Sequence, residues 1–213
     1  MNKTIIKPSE NKPSPFGGVG GGIVIINYGA GNIKSIQFAM QRLGYTAVLS
    51  NDAAEILAAD KVIFPGVGEA GSAMKKLKES GLDILIPKLK QPVLGICLGM
   101  QLMCNFSEEG NTDGLHIFDV NVVRFDNQVK VPQIGWNQLQ RLKTKLFKGI
   151  QEKEYMYAVH SYYAPLCAAT IATTHYGLDY SSALQKANFY GVQFHPEKSS
   201  TAGELLLQNF LEM

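Results

Sequence analysis

Between Pro92 and Gln101 the chain reads Pro-Val-Leu-Gly-Ile-Cys-Leu-Gly-Met-Gln, and this stretch narrows the fold more than any other. Val93 to Ile96 is apolar without alternation. A strand of that kind must be covered on both faces, as strands of a parallel sheet are. It enters a Gly-x-Cys-x-Gly turn, Gly95 to Gly99, followed by an apolar segment that predicts a helix over Leu98 to Cys104. Strand, sharp turn and helix with a nucleophile at the bend is the nucleophile-elbow pattern, here with Cys in place of Ser. The turn leaves no room for large side chains, so Gly95 and Gly99 flank the nucleophile. At a helix N-terminus the dipole favours the Cys97 thiolate. The Leu98 N–H faces the same space and serves as an oxyanion donor.

A nucleophilic Cys needs a base, and Val192-Gln193-Phe194-His195-Pro196-Glu197 offers one. Pro196 keeps His195 out of the helical region. In extended chain His195 and Glu197 then point to the same side. Glu197 orients the imidazole and stabilises its cation, the third role in triad chemistry. Cys97, His195 and Glu197 thus read as nucleophile, base and orienter. Cys104 and Cys167 read as small buried hydrophobes. His116, His160 and His175 lack a carboxylate at two-residue spacing and read as structural or surface residues.

Strand and helix patterns alternate over the first hundred residues. Ile23 to Asn27, Thr46 to Ser50 and Lys61 to Phe64 predict strands. Ile33, Ile36, Met40 and Leu43 share one helical face that Gly44 ends, with Asn32 as its N-cap. Helical segments follow at Ser72 to Glu79 and Leu82 to Leu89. Later strands are predicted at Asp119 to Phe125, Tyr155 to His160 and Thr170 to Thr174. A hairpin of Ser182 to Lys186 and Tyr190 to Phe194 turns at Ala187-Asn188. Thr201 and Glu204 form a capping box for a last helix carrying Leu206, Leu207, Phe210 and Leu211. The expected fold is α/β and three-layered: a largely parallel central sheet flanked by helices, plus a smaller antiparallel part.

With 213 residues, 46% of them hydrophobic and 18% charged, the chain suits one globular domain. At net charge +2, and with no Lys/Arg run longer than two, neither nucleic acid nor a membrane is an expected partner. Three scattered Cys make neither a disulfide framework nor a zinc site, and fit a reducing cytoplasm. Residues 1–22 hold Pro8, Pro13, Pro15 and a Gly-rich run, and read as a flexible leader before a domain at 23–213. Gly66-Val67-Gly68-Glu69-Ala70-Gly71 matches a dinucleotide fingerprint, but it follows the third strand and lacks a downstream acidic strand end.

Several motifs together resemble the class I (triad) glutamine amidotransferases over residues 23–213. They are Tyr28-Gly29-Ala30-Gly31-Asn32, Phe64-Pro65-Gly66-Val67-Gly68 and Gly95-Ile96-Cys97-Leu98-Gly99-Met100-Gln101. Val131-Pro132-Gln133-Ile134-Gly135-Trp136-Asn137, Val159-His160-Ser161-Tyr162-Tyr163 and Gln193-Phe194-His195-Pro196-Glu197-Lys198-Ser199 complete the set. Within that family the resemblance narrows to the glutaminase subunits of imidazole glycerol phosphate synthase. It implies L-glutamine as substrate, a thioester on Cys97, and no metal or cofactor. It places the second oxyanion donor at the Val67 peptide, flanked by two glycines that let it rotate. Gln101, one helical turn past Cys97, contacts glutamine, and Gly68, Ser161 and Tyr162 hold its amino-acid head. The implied partner is a (β/α)₈ cyclase subunit in a heterodimer, with Asn32, Gln133 and Trp136 as interface candidates. The competing readings are the glutaminase component of anthranilate or aminodeoxychorismate synthase, a free-standing γ-glutamyl hydrolase, and a silent docking subunit.

Overall fold

The computed structural model describes residues 22–29 and 31–213. In chain order the elements are β1 (Ile23–Ile26), α1 (Ile33–Arg42), β2 (Ala47–Ser50), α2 (Ala53–Ala58), β3 (Lys61–Phe64), α3 (Ala70–Glu79) and α4 (Leu82–Leu85). Next come β4 (Val93–Ile96), α5 (Leu98–Leu102), β5 (Cys104–Ser107), β6 (Thr112–Asp113), β7 (Phe118–Arg124), β8 (Gln133–Gln138) and β9 (Tyr155–His160). The chain ends with β10 (Tyr162–Tyr163), β11 (Thr170–Tyr176), β12 (Leu178–Lys186), β13 (Phe189–Val192) and α6 (Ser200–Leu211).

Seven strands form the central sheet in the order β11-β12-β13-β4-β3-β1-β2. The pairs from β13 to β2 are parallel, and β12 runs antiparallel to both of its neighbours. The short apolar strands are buried on both faces because successive side chains enter different cores. Val24 and Ile26 of β1 pack with Met74 and Leu77 of α3. Ile23 and Ile25 pack with Ile36 and Met40 of α1 and with Leu206 and Phe210 of α6. These are the expected three layers. A four-stranded sheet, β10-β7-β5-β6, and the β8–β9 hairpin stand beside them. The smaller part is not wholly antiparallel, since β5 and β7 run parallel. No helix among the described residues is long and apolar enough to cross a membrane.

Three local expectations need correction, and one strand was not anticipated. Asn32 precedes α1 at ψ 63, off the extended geometry a capping side chain requires, and makes no cap bond. The elbow helix stops at Leu102 rather than Cys104, because Leu115 and Ile117 donate to the Leu102 and Met103 carbonyls and draw Cys104 into a strand. Thr201 lies inside α6, whose first residue is Ser200, and Glu204 is taken by Arg42 at 2.6 Å, so there is no capping box. The Gln133–Gln138 segment is a strand, although its Gly135 and mixed pattern gave no strand signal. The expected leader lies outside the described residues except for Gly22, whose N–H donates to Asp60 Oδ2 at 2.7 Å.

Candidate active site

β13 and β4 pair in parallel with Val192 opposite Ile96, so the residues after both strands leave the sheet side by side. That register brings His195 to Cys97 across almost a hundred residues. It does so at the carboxyl ends of the strands, where open α/β sheets bind their ligands. The Cys97 N–H donates to the Val192 carbonyl at 2.8 Å. Cys97 itself sits at φ 53 and ψ −112, a strained conformation for a side-chain-bearing residue. The elbow needs its glycines. A Cβ on Gly99 would collide with the Phe64 carbonyl oxygen, and one on Gly66 would lie 2.6 Å from the Gly99 nitrogen. The Pro65–Gly68 loop therefore rests directly on the first turn of α5.

His195 and Glu197 are both buried, and Nδ1 lies 2.9 Å from Oε1. Their meeting is achieved differently from the expectation. The strand ends at Val192, and Pro196–Lys198 form a 3₁₀ turn that curls Glu197 back under the imidazole. Besides its own backbone bonds, from the Lys198 N–H to the His195 carbonyl and the Ser199 N–H to the Pro196 carbonyl, the turn is held by the His195 N–H to the Tyr157 carbonyl at 2.8 Å and by the Ser199 hydroxyl to the His195 carbonyl at 2.6 Å. Burial opposes charge on His195. Hydrogen bonds and charges from Cys97 and Glu197 outweigh it and raise the imidazole from 6.5 to about 10. With Nδ1 held by Glu197, Nε2 is the nitrogen left for the sulfur.

A cavity of about 330 Å³ opens at this point. Val67, Gly68, Leu98, Gln101, Ser161 and Tyr162 line it with Cys97 and His195, so every oxyanion and substrate residue expected from the sequence shares one pocket. Glu109, His160 and Lys198 line it as well and were not anticipated. Glu109 accepts from the Ala70 N–H at 2.9 Å. Its carboxyl is pushed up by burial, with the Glu69 charge adding and the Ala70 bond opposing. His160 is buried, which drives it from 6.5 down to about 4 and keeps it neutral. The neighbouring His195 charge acts in the same direction, against the bond to Tyr162. Neutral His160 donates Nδ1–H to the Tyr162 carbonyl at 2.8 Å. Gln193, 1% exposed behind the pocket, was also missed.

The dinucleotide alternative fails on geometry. The N-terminus of α3, where a phosphate would bind, is capped by the Glu69 carboxylate, bonded to the Gly71 and Ser72 N–H groups at 2.8 and 2.7 Å. Cys104 is fully buried and desolvation pushes its thiol well up, as suits an inert residue.

Among the interface candidates Trp136 is 50% exposed, beside Ile134 at 63% and Tyr155 at 49%. Gln133 is instead buried and bonded to the Tyr180 hydroxyl at 3.2 Å. It stands three residues before Trp136 in β8, so the two face opposite sides of the strand. Asn32 is half-buried.

The family model described as "Glutamine amidotransferase class-I" matches residues 24–213. The chain belongs to the class I glutamine amidotransferase family. It is 56% identical over 194 residues to the imidazole glycerol phosphate synthase subunit HisH of Bacteroides fragilis, covering 90% of this chain and 99% of that protein. It is 48% identical to the subunit of the same name from Yersinia pseudotuberculosis, with the same coverage. A solved structure described as a glutamine amidotransferase superposes with a TM-score of 0.70 at 20% identity, covering 90% and 98% of the two chains. PurLQS from Thermotoga maritima gives 0.71 at 13% identity, covering 91% and 99%. At those identities the two structural matches speak for the fold. Within the amidotransferase, the family match spans the elbow, the His195 turn and the pocket between them.

Proposed function

We propose that this amidotransferase hydrolyses L-glutamine to glutamate and ammonia and delivers the ammonia to a cyclase subunit, with which it makes imidazole glycerol phosphate in histidine biosynthesis. The observation that carries the chemistry is Cys97 held at the strained elbow beside a buried His195–Glu197 pair, all opening on one pocket. Identity to subunits named HisH supports the narrower assignment.

Cys97 attacks the side-chain amide carbon of glutamine, and the oxyanion is taken by the Leu98 N–H and the Val67 peptide. Protonated His195 gives its proton to the leaving ammonia. Acylation then removes the thiolate charge, one of the two partners that hold the proton on His195. Burial now weighs more heavily, and the imidazole becomes a base able to activate the water that cleaves the thioester. Gln101, Gly68, Ser161 and Tyr162 surround the amino-acid head, and the Glu109 carboxylate offers a counter-charge for its ammonium. The outward apolar face of the β8–β9 hairpin, Ile134, Trp136 and Tyr155, is the surface offered to the cyclase in a heterodimer. Rotation of the Val67 peptide gates the reaction until that partner is loaded.

The test is glutamate release from L-glutamine, with and without the cyclase subunit and its ribotide ligand, using Cys97→Ala as control. The expected result is low basal release that rises with the loaded partner and vanishes in Cys97→Ala. Partner-independent activity would instead mark a free-standing hydrolase.

A further inference from the structure

Behind the pocket a short chain of side-chain amides joins the nucleophile to Gln101. Gln101 Nε2 donates to the Tyr162 carbonyl at 2.9 Å and to Gln193 Oε1 at 2.8 Å. Gln193 Nε2 in turn donates to Cys97 Sγ at 3.8 Å. The polarity of this chain is dictated from one end. A backbone carbonyl only accepts, so the Gln101 atom on Tyr162 must be the amide nitrogen. That nitrogen only donates, so Gln193 must turn its oxygen toward it. The Gln193 nitrogen is then the end that remains for the sulfur. Flipping either amide would set two donors or two acceptors against each other in a buried place, where an unmet polar group is costly. Tyr162 accepts a further bond from His160, which anchors the starting point. With its nitrogen committed twice, Gln101 has Oε1 left to offer the pocket.

We infer that Gln193 is a positioning residue that holds the Cys97 thiolate and the glutamine-contacting amide of Gln101 in one register. It gives the sulfur a hydrogen bond that favours its charged form, and it locks Gln101 with its acceptor toward the substrate. The inference rests on the reading of Cys97 as the nucleophile for glutamine. Gln193 touches no reacting atom of the substrate and acts through its two neighbours.

The test is alkylation of Cys97 by iodoacetamide in the absence of glutamine, from about pH 5 to about pH 10. It is followed by mass spectrometry of the Cys97 peptide in the full chain, in wild type, Gln193→Met and Gln101→Met. Methionine keeps the length of glutamine and removes both polar ends. Gln193→Met is expected to slow alkylation at neutral pH by about 10-fold or more and to move its pH midpoint alkaline, the loss of a hydrogen bond to a charged group. Gln101→Met, which removes no bond to sulfur, is expected to shift the midpoint in the same direction by a smaller amount, because Gln193 loses its anchor. A merely space-filling Gln193 would leave both profiles at wild type, and an unshifted profile in either folded variant overturns the inference. Should Gln193→Met fail to fold, the Gln101→Met profile decides alone. A wild type that alkylates at Cys97 yet releases no glutamate even with the loaded cyclase subunit would refute the glutaminase reading and leave the Gln193 result standing.

Discussion

Replacing Glu197 with Gln isolates the charge of the triad from its geometry. The amide oxygen can accept from His195 Nδ1 as Oε1 does at 2.9 Å, and the amide nitrogen takes the place of Oε2, which has no partner among the described residues. What is lost is the negative charge beside a buried imidazolium. A hydrogen bond to a charged group contributes about 1.5–3 kcal/mol, against about 1 for a neutral one. The difference of about 0.5–2 kcal/mol, at 1.36 kcal/mol per pH unit, lowers the His195 pKa by up to about 1.5 units. The sign follows from His195 being raised from 6.5 to about 10: its proton stabilises the folded, paired state below 6.5, and that contribution is lost as pH rises through about 10. In Glu197→Gln the loss occurs up to about 1.5 units lower, by the same conversion, and kcat/KM at neutral pH falls about 2- to 30-fold. The assay is glutamate release against pH in the presence of the cyclase partner, with thermal unfolding to verify the fold. An activity within about two-fold of wild type, with the alkaline limb unmoved, would refute the reasoning.

Three further outcomes are expected. Gly99→Ala drives a Cβ into the Phe64 backbone, which cannot yield, so chemical denaturation should show about 1–3 kcal/mol of lost stability together with loss of glutaminase activity. His160 is lowered from 6.5 to about 4, so between those pH values the unfolded chain binds a proton that the folded chain refuses. Wild type should lose about 3 kcal/mol more than His160→Gln as pH falls through that window, measured by urea unfolding, and equal losses would contradict a neutral buried His160. Trp136→Ala should leave unfolding within about 0.5 kcal/mol of wild type, because half the side chain is exposed. It should weaken the cyclase's stimulation of glutamate release by about 30-fold in affinity if Trp136 anchors the interface.

The nucleophile was legible in the sequence because an elbow is a local steric object. Gly95, Cys97 and Gly99 lie within one turn, and a Cβ on Gly95 would meet the Met100 nitrogen of the same elbow, whereas the Phe64 carbonyl that forbids one on Gly99 is brought by β3. The apolar runs of β1, β3 and β4 were legible for a similar reason, since an unbroken run of three or four residues without a polar side chain has only a doubly covered sheet to enter. His195 and Glu197 were found as a pair, although the extended chain invoked to join them is a 3₁₀ turn. Gln133 was misplaced as an interface residue because nothing marked Gln133–Gln138 as a strand, and only a strand's alternation decides which of its residues face out.

By itself, then, the sequence determined the features set by neighbours a few residues apart: the elbow, the buried strands, the helix faces of α1 and α6, and the types of the three triad residues. The tertiary structure alone decided which distant polar groups meet. Gln193 reaches Cys97, and Gln101 reaches Tyr162, across separations of 96 and 61 residues. Glu109 enters the pocket only because the Ala70 N–H, 39 residues away, holds it there. Such contacts depend on the register of β13 against β4 and on the packing of the short sheet beside them. A hydrogen bond over 3 Å is satisfied or lost by shifts far smaller than any pattern in the sequence records.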